Sequence, residues 1–269
     1  MSPAPTASVS SELAAVLRRL KLGQMLDTLP ERLTLARQGP LPHADFLEMV
    51  LTDEITRRDR ASASVRARAA HLDPTMVAEA WDDTAKVSFD KAMWAELVTL
   101  RFVEDAANAL VLGPVGVGKT FLASALGHIA CRRRFSVHFE RADRLHKRLK
   151  ATRLDASHDA EMRKLMRVDL LLLDDFALKS LDAMETADFY ELVVERHRRA
   201  STVITSNRDP AEMLAMMADP LLAQSAIDRL QSAAYELVVE GESYRRRQKP
   251  VVGAGRADNA DAPKRRGRS

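Results

Sequence analysis

Hydrophobic positions follow two different periods along this chain. From about residue 10 to residue 69 they recur at helical spacing, which predicts helices over 27–38 and 43–69 with a break at 39–42. After residue 90, short apolar runs alternate with amphipathic helical segments. The runs cover 108–112, 135–140, 168–173, 201–206 and 235–239. This alternation predicts an α/β fold with a five-stranded parallel sheet flanked by helices.

The change of period divides the chain into four predicted parts. Residues 1–70 are expected to form an N-terminal helical domain that binds DNA or a partner, and 71–85 a connector. Residues 86–248 are the predicted α/β domain. Residues 249–269 combine Gly and Pro with Lys and Arg, which predicts a basic disordered tail that contacts nucleic acid phosphates or is simply solvated.

Composition narrows the class of protein. No apolar stretch approaches the roughly 20 residues that span a bilayer, and the start lacks the pattern of a signal peptide. We therefore expect a cytoplasmic protein without membrane contact. Aromatic residues make up 5% of the chain, so nucleic acid contact is expected through phosphates, with little sequence preference, rather than through base stacking.

A phosphate-binding loop follows the first predicted strand. Residues 113–120 fit the pattern G-x-x-x-x-G-K-T and are followed by a predicted helix from Phe121. Its glycines let backbone N–H groups face phosphate oxygens, Lys119 reaches the β- and γ-phosphates, and Thr120 offers a hydroxyl to Mg²⁺. The predicted ATP-binding residues are Gly113, Pro114, Val115, Gly116, Val117, Gly118, Lys119, Thr120 and Phe121.

Polar residues follow two later strands. Four leucines lead into Asp174 and Asp175, where Asp174 is expected to complete the Mg²⁺ shell with Thr120, and Asp175 to orient or activate the attacking water. Asn207 follows the strand at 201–206 and is a candidate sensor of the γ-phosphate. Strand-end acids that cap a helix, and an Asn in a turn, are the structural alternatives.

Three further features carry charge. Arg229 lies on a predicted helix and is a candidate arginine finger for a neighbouring subunit, or else the partner of Asp228 in a surface salt bridge. Two basic clusters are candidate DNA contacts or solvated helix faces. They comprise Arg57, Arg58, Arg60, Arg66 and Arg68 in the first, and Arg141, Arg144, Lys147, Arg148, Lys150 and Arg153 in the second.

The order of these motifs resembles a known family. Asp174-Asp175-Phe176, Thr205-Ser206-Asn207-Arg208 and Gly241-Glu242-Ser243-Tyr244-Arg245 are similar to the IstB-like ATPases that assist insertion-sequence transposases. The resemblance runs over about residues 13–248 and includes Leu20-Lys21-Leu22 and Phe46-Leu47. This family is related to the DnaC helicase loaders and DnaA initiators of the AAA+ class.

The resemblance implies an AAA+ core with ATP and Mg²⁺ as cofactors and ATP between subunits of a homo-oligomer. It also implies binding to duplex DNA and delivery of a target site to a transposase, with ATP hydrolysis resetting the assembly. By position it assigns catalysis to Lys119, Asp174, Asp175, Asn207 and Arg229. AAA+ proteins more often have Glu at the position of Asp175, and the chain leaves little room for a C-terminal helical lid. A lid arginine is consequently hard to assign, and Arg245 is a weak substitute.

Three alternatives stay open from the sequence. A DnaC-like helicase loader would share the ATP site and bind a replicative helicase through its N-terminal helices. A small-molecule kinase would transfer phosphate to a metabolite, although the basic clusters and Asn207 argue against it. A scaffold that binds ATP without hydrolysing it is compatible with the shorter carboxylate of Asp175.

Overall fold

The computed structural model describes residues 8–39, 41–84, 86–232 and 234–244. Its helices are α1 (Ser11–Arg19), α2 (Leu29–Gln38), α3 (His43–Ala69), α4 (Lys91–Val98), α5 (Arg101–Glu104), α6 (Lys119–Arg132), α7 (Ala142–Thr152), α8 (His158–Arg167), α9 (Ala183–Arg196), α10 (Pro210–Ala215) and α11 (Pro220–Gln231). Its strands are β1 (Val87–Phe89), β2 (Asn108–Leu112), β3 (Val137–Arg141), β4 (Leu170–Asp174), β5 (Ser201–Ser206) and β6 (Ala234–Gly241). The predicted tail at 249–269 and Arg245 lie outside the described residues.

The strands form one mixed sheet in the order β1-β6-β2-β5-β4-β3. The five predicted strands are confirmed as β2 to β6, and they run parallel to one another. β1 is an additional strand that pairs antiparallel with β6 at the edge of the sheet. It escaped prediction because it has only three residues, too few to show an apolar period.

Helices cover both faces of the sheet. Successive strand residues alternate between two cores, so that Leu171 faces α7, α8, α9 and α11, while Leu172 faces α6 and the end of α3. β2, β4 and β5 are buried along their whole length, as expected for parallel strands between two helical layers. The phosphate loop and the polar strand ends therefore come together at the carboxyl edge of a rigid sheet.

The N-terminal helices have a small core of their own, made by Leu17, Met25, Leu29 and Val50. α3 extends beyond this core and packs on α6, where Arg66 Nε donates a 2.9 Å hydrogen bond to the carbonyl of Cys131. α3 is thus shared between the N-terminal helices and the α/β core. The domain boundaries at residues 70 and 85 stay predictions.

No helix in the described ranges is long and apolar enough to cross a membrane. Within those ranges, which end at Tyr244, no helical lid follows β6.

Candidate nucleotide site

The phosphate loop connects β2 to α6 in a conformation that depends on glycine. Gly116 and Gly118 have φ values of +86° and +97°, in the left-handed region that side chains disfavour. A Cβ on Gly116 would lie 2.2 Å from Ser243 Oγ, and one on Gly118 would lie 2.9 Å from the Trp81 ring. The loop is therefore enclosed by the end of β6 on one side and by the connector on the other.

Lys119 lies inside this loop. Its side chain is buried, and Nζ donates 2.8 Å hydrogen bonds to the carbonyl oxygens of Gly113 and Pro114. The ammonium group is held beside the backbone that would surround a phosphate, at the positive N-terminus of α6. The binding of a phosphate by Lys119 stays a prediction.

Asp174 is buried beneath the loop and accepts two hydroxyl hydrogen bonds. Thr120 Oγ1 donates to Asp174 Oδ1 at 2.8 Å, and Thr205 Oγ1 donates to the same oxygen at 2.6 Å. Burial raises the pKa of Asp174 above its usual value, the nearby Asp175 carboxylate raises it further, and the two hydroxyls and Arg141 oppose the shift. A buried carboxylate with this environment favours an arriving cation, because the cation compensates the charge.

Asp175 turns away from Asp174 through a left-handed backbone conformation, with φ at +55°. Its backbone N–H donates a 3.0 Å hydrogen bond to Thr205 Oγ1. Its carboxylate is partly exposed and lies 3.9 Å from Nη2 of Arg141, whose Nε lies 3.3 Å from Asp143. Arg141 is thus placed between two carboxylates, a role that differs from the DNA contact considered for it above.

A cavity of about 610 Å³ joins these groups, and we call it the phosphate-loop cavity. This volume is in the usual range for small-molecule sites. Of the predicted residues, Val115, Gly116, Val117, Gly118, Lys119, Thr120, Phe121, Asp175 and Asn207 line it. Gly113, Pro114 and Asp174 do not line it.

Several residues that line the cavity were not predicted. They are Thr75, Met76, Ala80, Trp81, Asp82, Val87, Arg141, Leu178 and Tyr244. Trp81 makes edge contacts with Phe121 and Phe89 at centroid distances of 5.4 and 5.7 Å. Tyr244 N donates a 2.9 Å hydrogen bond to the carbonyl of Gly116. The connector and the end of β6 therefore belong to the wall of the site.

The two sides of the cavity differ in character. Arg141 is the last residue of β3, and Asp175 and Asn207 follow β4 and β5. These three strands lie on one side of β2. β1 and the segment before it lie at the other side, where Met76, Trp81 and Val87 supply apolar surface. A nucleotide whose terminal phosphate faces the polar side would place its base against the apolar side.

Arg229 does not line the cavity of its own chain. It lies near the end of α11 and donates hydrogen bonds to the carbonyl and the hydroxyl of Ser225. The side chains of Asp228 and Arg229 form no ion pair in the described part of the chain. A role of Arg229 in a neighbouring subunit's site stays a prediction.

Ion pairs within the chain neutralise much of the second basic cluster. Arg148 pairs with Glu140 and Glu161, Lys150 pairs with Asp182 and Glu185, and Arg153 pairs with Asp188. Burial alone would raise the pKa of Glu140, but the hydrogen bonds and positive charges of His138 and Arg148 together outweigh it and lower this pKa to about 2. Arg144 and Lys147 are the exposed members of this cluster for which the described residues provide no ion pair.

The first basic cluster is divided in the same way. Arg57 and Arg58 both bind the buried carboxylate of Glu54, and these contacts lower the pKa of Glu54 to about 2. Arg60 and Arg68 are exposed, and neither has an ion pair with any described residue. The basic surface that is available to a partner is therefore smaller than the sequence indicates.

Comparison with known proteins identifies the family. The family model described as IstB-like ATP binding protein matches residues 15–251 of this chain. The chain belongs to this family. An insertion-sequence ATP-binding protein from Mycobacterium tuberculosis is 37% identical over 239 residues, which cover 88% of this chain and 95% of that protein. The ATP-binding protein of insertion sequence IS21 from Pseudomonas aeruginosa is 32% identical, with 90% and 91% covered.

Solved structures share the fold of this IstB-like chain. DnaI superposes with a TM-score of 0.53 at 20% identity, covering 61% of this chain and 90% of that one. The replication initiator DnaA, solved with AMPPCP and single-stranded DNA, superposes with a TM-score of 0.52 at 22% identity, covering 64% and 51%. The chain thus has the AAA+ fold, as predicted.

Proposed function

We propose that this chain is an ATP-dependent, DNA-binding regulator that assists a transposase. It oligomerises on duplex DNA, selects or delivers the target site, and resets the assembly when ATP is hydrolysed. The observation that carries this proposal is the phosphate-loop cavity, which brings Lys119, Asp175 and Asn207 together above the Thr120–Asp174 pair. The insertion-sequence relatives support the link to transposition.

The residues around the cavity fit ATP with Mg²⁺. The loop glycines leave its backbone N–H groups room to approach phosphates, and Lys119 supplies a positive charge within the loop. Thr120 and Asp174 are 2.8 Å apart, so one cation can contact both oxygens. Mg²⁺ commonly takes one or two protein ligands and completes its shell with phosphates and water. When bound, Mg²⁺ would neutralise charge that develops on the phosphates.

The polar side of the cavity supplies groups for hydrolysis. Asp175 has a partly exposed carboxylate that can orient or accept a proton from the attacking water. Asn207 offers a neutral amide at the same edge of the sheet, suited to a γ-phosphate oxygen. Arg229 lies outside its own cavity and serves the site of a neighbouring subunit. ATP then joins subunits, and its hydrolysis loosens them.

Contact with duplex DNA rests on the basic side chains that remain exposed. Arg60, Arg68, Arg144 and Lys147 have no ion pair among the described residues, and they can neutralise phosphates of either strand. This mode of binding has little sequence preference. It suits a regulator that offers many target sites to a transposase.

ATP turnover with and without duplex DNA tests the proposal, combined with sizing of the particle in ATP and in ADP. We expect DNA to stimulate turnover and ATP to favour the larger assembly. Lys119→Ala, which removes the ammonium group from the loop, is the inactive control. Phosphate transfer to a metabolite, or an ATP turnover rate that is the same with and without DNA, would contradict the proposal.

The same chain could instead load a replicative helicase. The named relatives are insertion-sequence proteins, which favours transposition. Pull-down of a purified transposase encoded beside this chain supports the first function. Selective capture of the replicative helicase in place of the transposase would support the second.

A further inference from the structure

A second cavity lies outside the nucleotide site, between α3 and α6. We call it the α3–α6 groove, and its volume is about 720 Å³. Residues from α3, from the start of the connector and from α6 line it. They include Thr56, Arg60, Ser64 and Arg68 on α3, and His128 and Arg132 on α6.

The charge on this groove is mainly positive. Arg60, Arg68 and Arg132 line it, and the acidic residue among the lining groups, Asp59, is bound to Arg134. Arg132 forms an ion pair with Glu79. Arg60 and Arg68 are exposed and have no ion pair in the described part of the chain. Arg60 and Arg68 are eight positions apart on α3, which places them about 12 Å apart along one face of the helix.

The groove and the phosphate-loop cavity share a wall. Leu72, Pro74 and Val77 line the groove, whereas Thr75, Met76 and Trp81 line the phosphate-loop cavity. Within the short segment 72–81, some residues line one cavity and others line the second. A displacement of this segment in one cavity therefore changes the shape of the other.

Contacts with α6 hold the shared wall in place. Leu72 packs against Gly127, where a Cβ would lie 2.9 Å from Leu72 Cδ2. His128 Nε2 lies 2.8 Å from the carbonyl oxygen of Asp73, and Arg132 pairs with Glu79 at 2.9 Å. α6 begins at Lys119 and so carries the phosphate-binding residues at its other end. The wall is thus fixed to the helix that binds ATP.

We propose that the α3–α6 groove binds the phosphate backbone of duplex DNA, and that residues 72–81 couple this binding to the nucleotide site. The occupant follows from charge complementarity: two unpaired arginines on one helix face, beside the hydroxyls of Thr56 and Ser64, suit a row of phosphates. The inference rests on the proposed DNA-binding function and assigns a surface and a regulatory route to it.

The test compares DNA binding by the full chain, Arg60→Gln/Arg68→Gln and a matched control. Arg198→Gln/Arg199→Gln removes the same charge from exposed residues in the turn before β5, away from the groove. Gln keeps a good helix propensity at positions 60 and 68, and circular dichroism checks the fold. The probe is a short duplex of mixed sequence, titrated at several salt concentrations.

Loss of two phosphate contacts should lower the slope of log Kd against log salt by about 1.8 in the groove variant. The control should retain the slope of the unmodified chain. An unchanged slope in the groove variant, or an equal loss in the control, overturns the groove assignment. Failure of the unmodified chain to bind duplex DNA would instead overturn the proposed function itself.

Coupling is measured by titrating a fluorescent ATP analogue with and without saturating duplex. Because binding linkage is reciprocal, the factor by which DNA tightens ATP binding equals the factor by which ATP tightens DNA binding. We expect a factor above 1 in the unmodified chain and its loss in Arg60→Gln/Arg68→Gln. A factor at saturating duplex that is equally large in this variant overturns the coupling through the groove, whereas a factor of 1 in the unmodified chain would contradict the proposed function itself.

Discussion

The hydroxyl of Thr120 donates a 2.8 Å hydrogen bond to Oδ1 of Asp174, and so joins the first turn of α6 to the end of β4. Thr205 donates to the same oxygen from β5. Three elements that are far apart in sequence therefore meet at one buried carboxylate. Burying the negative charge of this carboxylate costs free energy, and a bound cation would offset that cost.

Replacing Asp174 with Asn should stabilise the nucleotide-free chain at neutral pH, because the amide carries no charge into the buried site. Burial raises the pKa of Asp174 in the folded chain, so the folded state holds its proton more tightly than the unfolded state. Stability from this group is present below the ordinary pKa of 3.8 and is lost as pH rises through the raised pKa. Urea unfolding over a pH series measures this loss, which Asp174→Asn should remove.

The same substitution should abolish stabilisation by ATP with Mg²⁺, because the amide has no charge to attract the cation. Asp228→Asn, at an exposed position, is the control and should change neither property. If ATP with Mg²⁺ stabilises Asp174→Asn as much as the unmodified chain, Asp174 does not bind the cation.

Asp175→Asn should lower kcat for ATP by about 10²-fold or more and leave KM within a few-fold, since its carboxylate is expected to act on water rather than to bind the nucleotide. Steady-state turnover in the presence of duplex DNA provides both constants. Asp175→Glu retains a carboxylate and should keep far more activity than the amide. Equal turnover by the Asn variant and the parent would remove Asp175 from catalysis and support a non-hydrolysing scaffold.

Arg229→Ala should reduce turnover by about 10³-fold if the side chain acts in a neighbouring site. Such a residue can be complemented in trans. Lys119→Ala subunits lack a working loop but keep Arg229, so mixing them with Arg229→Ala subunits should restore turnover. Asp228→Ala should stay active. Full activity of Arg229→Ala alone, or no recovery on mixing, would exclude an arginine finger at this position.

Trp81 should report nucleotide binding directly. The chain has two tryptophans, so Trp94→Phe leaves Trp81 as the single indole, packed against Gly118 and Phe121. We expect ATP to change the emission of this variant, and Trp81→Ala to weaken ATP binding by roughly tenfold through loss of aromatic packing. Unchanged emission at saturating ATP would show that the apolar side of the cavity does not contact the base.

Site motifs whose residues are neighbours in the sequence could be predicted from it. The glycine loop, the leucine run before Asp174 and the apolar strand before Asn207 each combine a pattern with a residue type, and the structure brings all three to one edge of the sheet. Trp81 was not predictable in this way. It stands alone in a segment of mixed polarity, and its place beside Gly118 depends on the tertiary path of the connector.

Charge was the least predictable property. In the sequence, Lys150 and Arg153 belong to a free basic surface at the end of α7, yet their partners Glu185 and Asp188 lie on α9, 35 residues further along the chain. Such pairing depends on helix packing and leaves no signal in local composition. Arg141 illustrates the same point, since its Nη2 lies 3.9 Å from the carboxylate of Asp175 on the polar side of the cavity.

The central claim is that the nucleotide controls assembly on DNA. Binding to a mixed-sequence duplex, measured together with particle size in ATP, in ADP and without nucleotide, tests it most directly. The account predicts that the affinity for duplex DNA is at least about tenfold higher in ATP than in ADP or without nucleotide. It also predicts a larger particle in ATP. Equal affinity and equal size in all three conditions would contradict it.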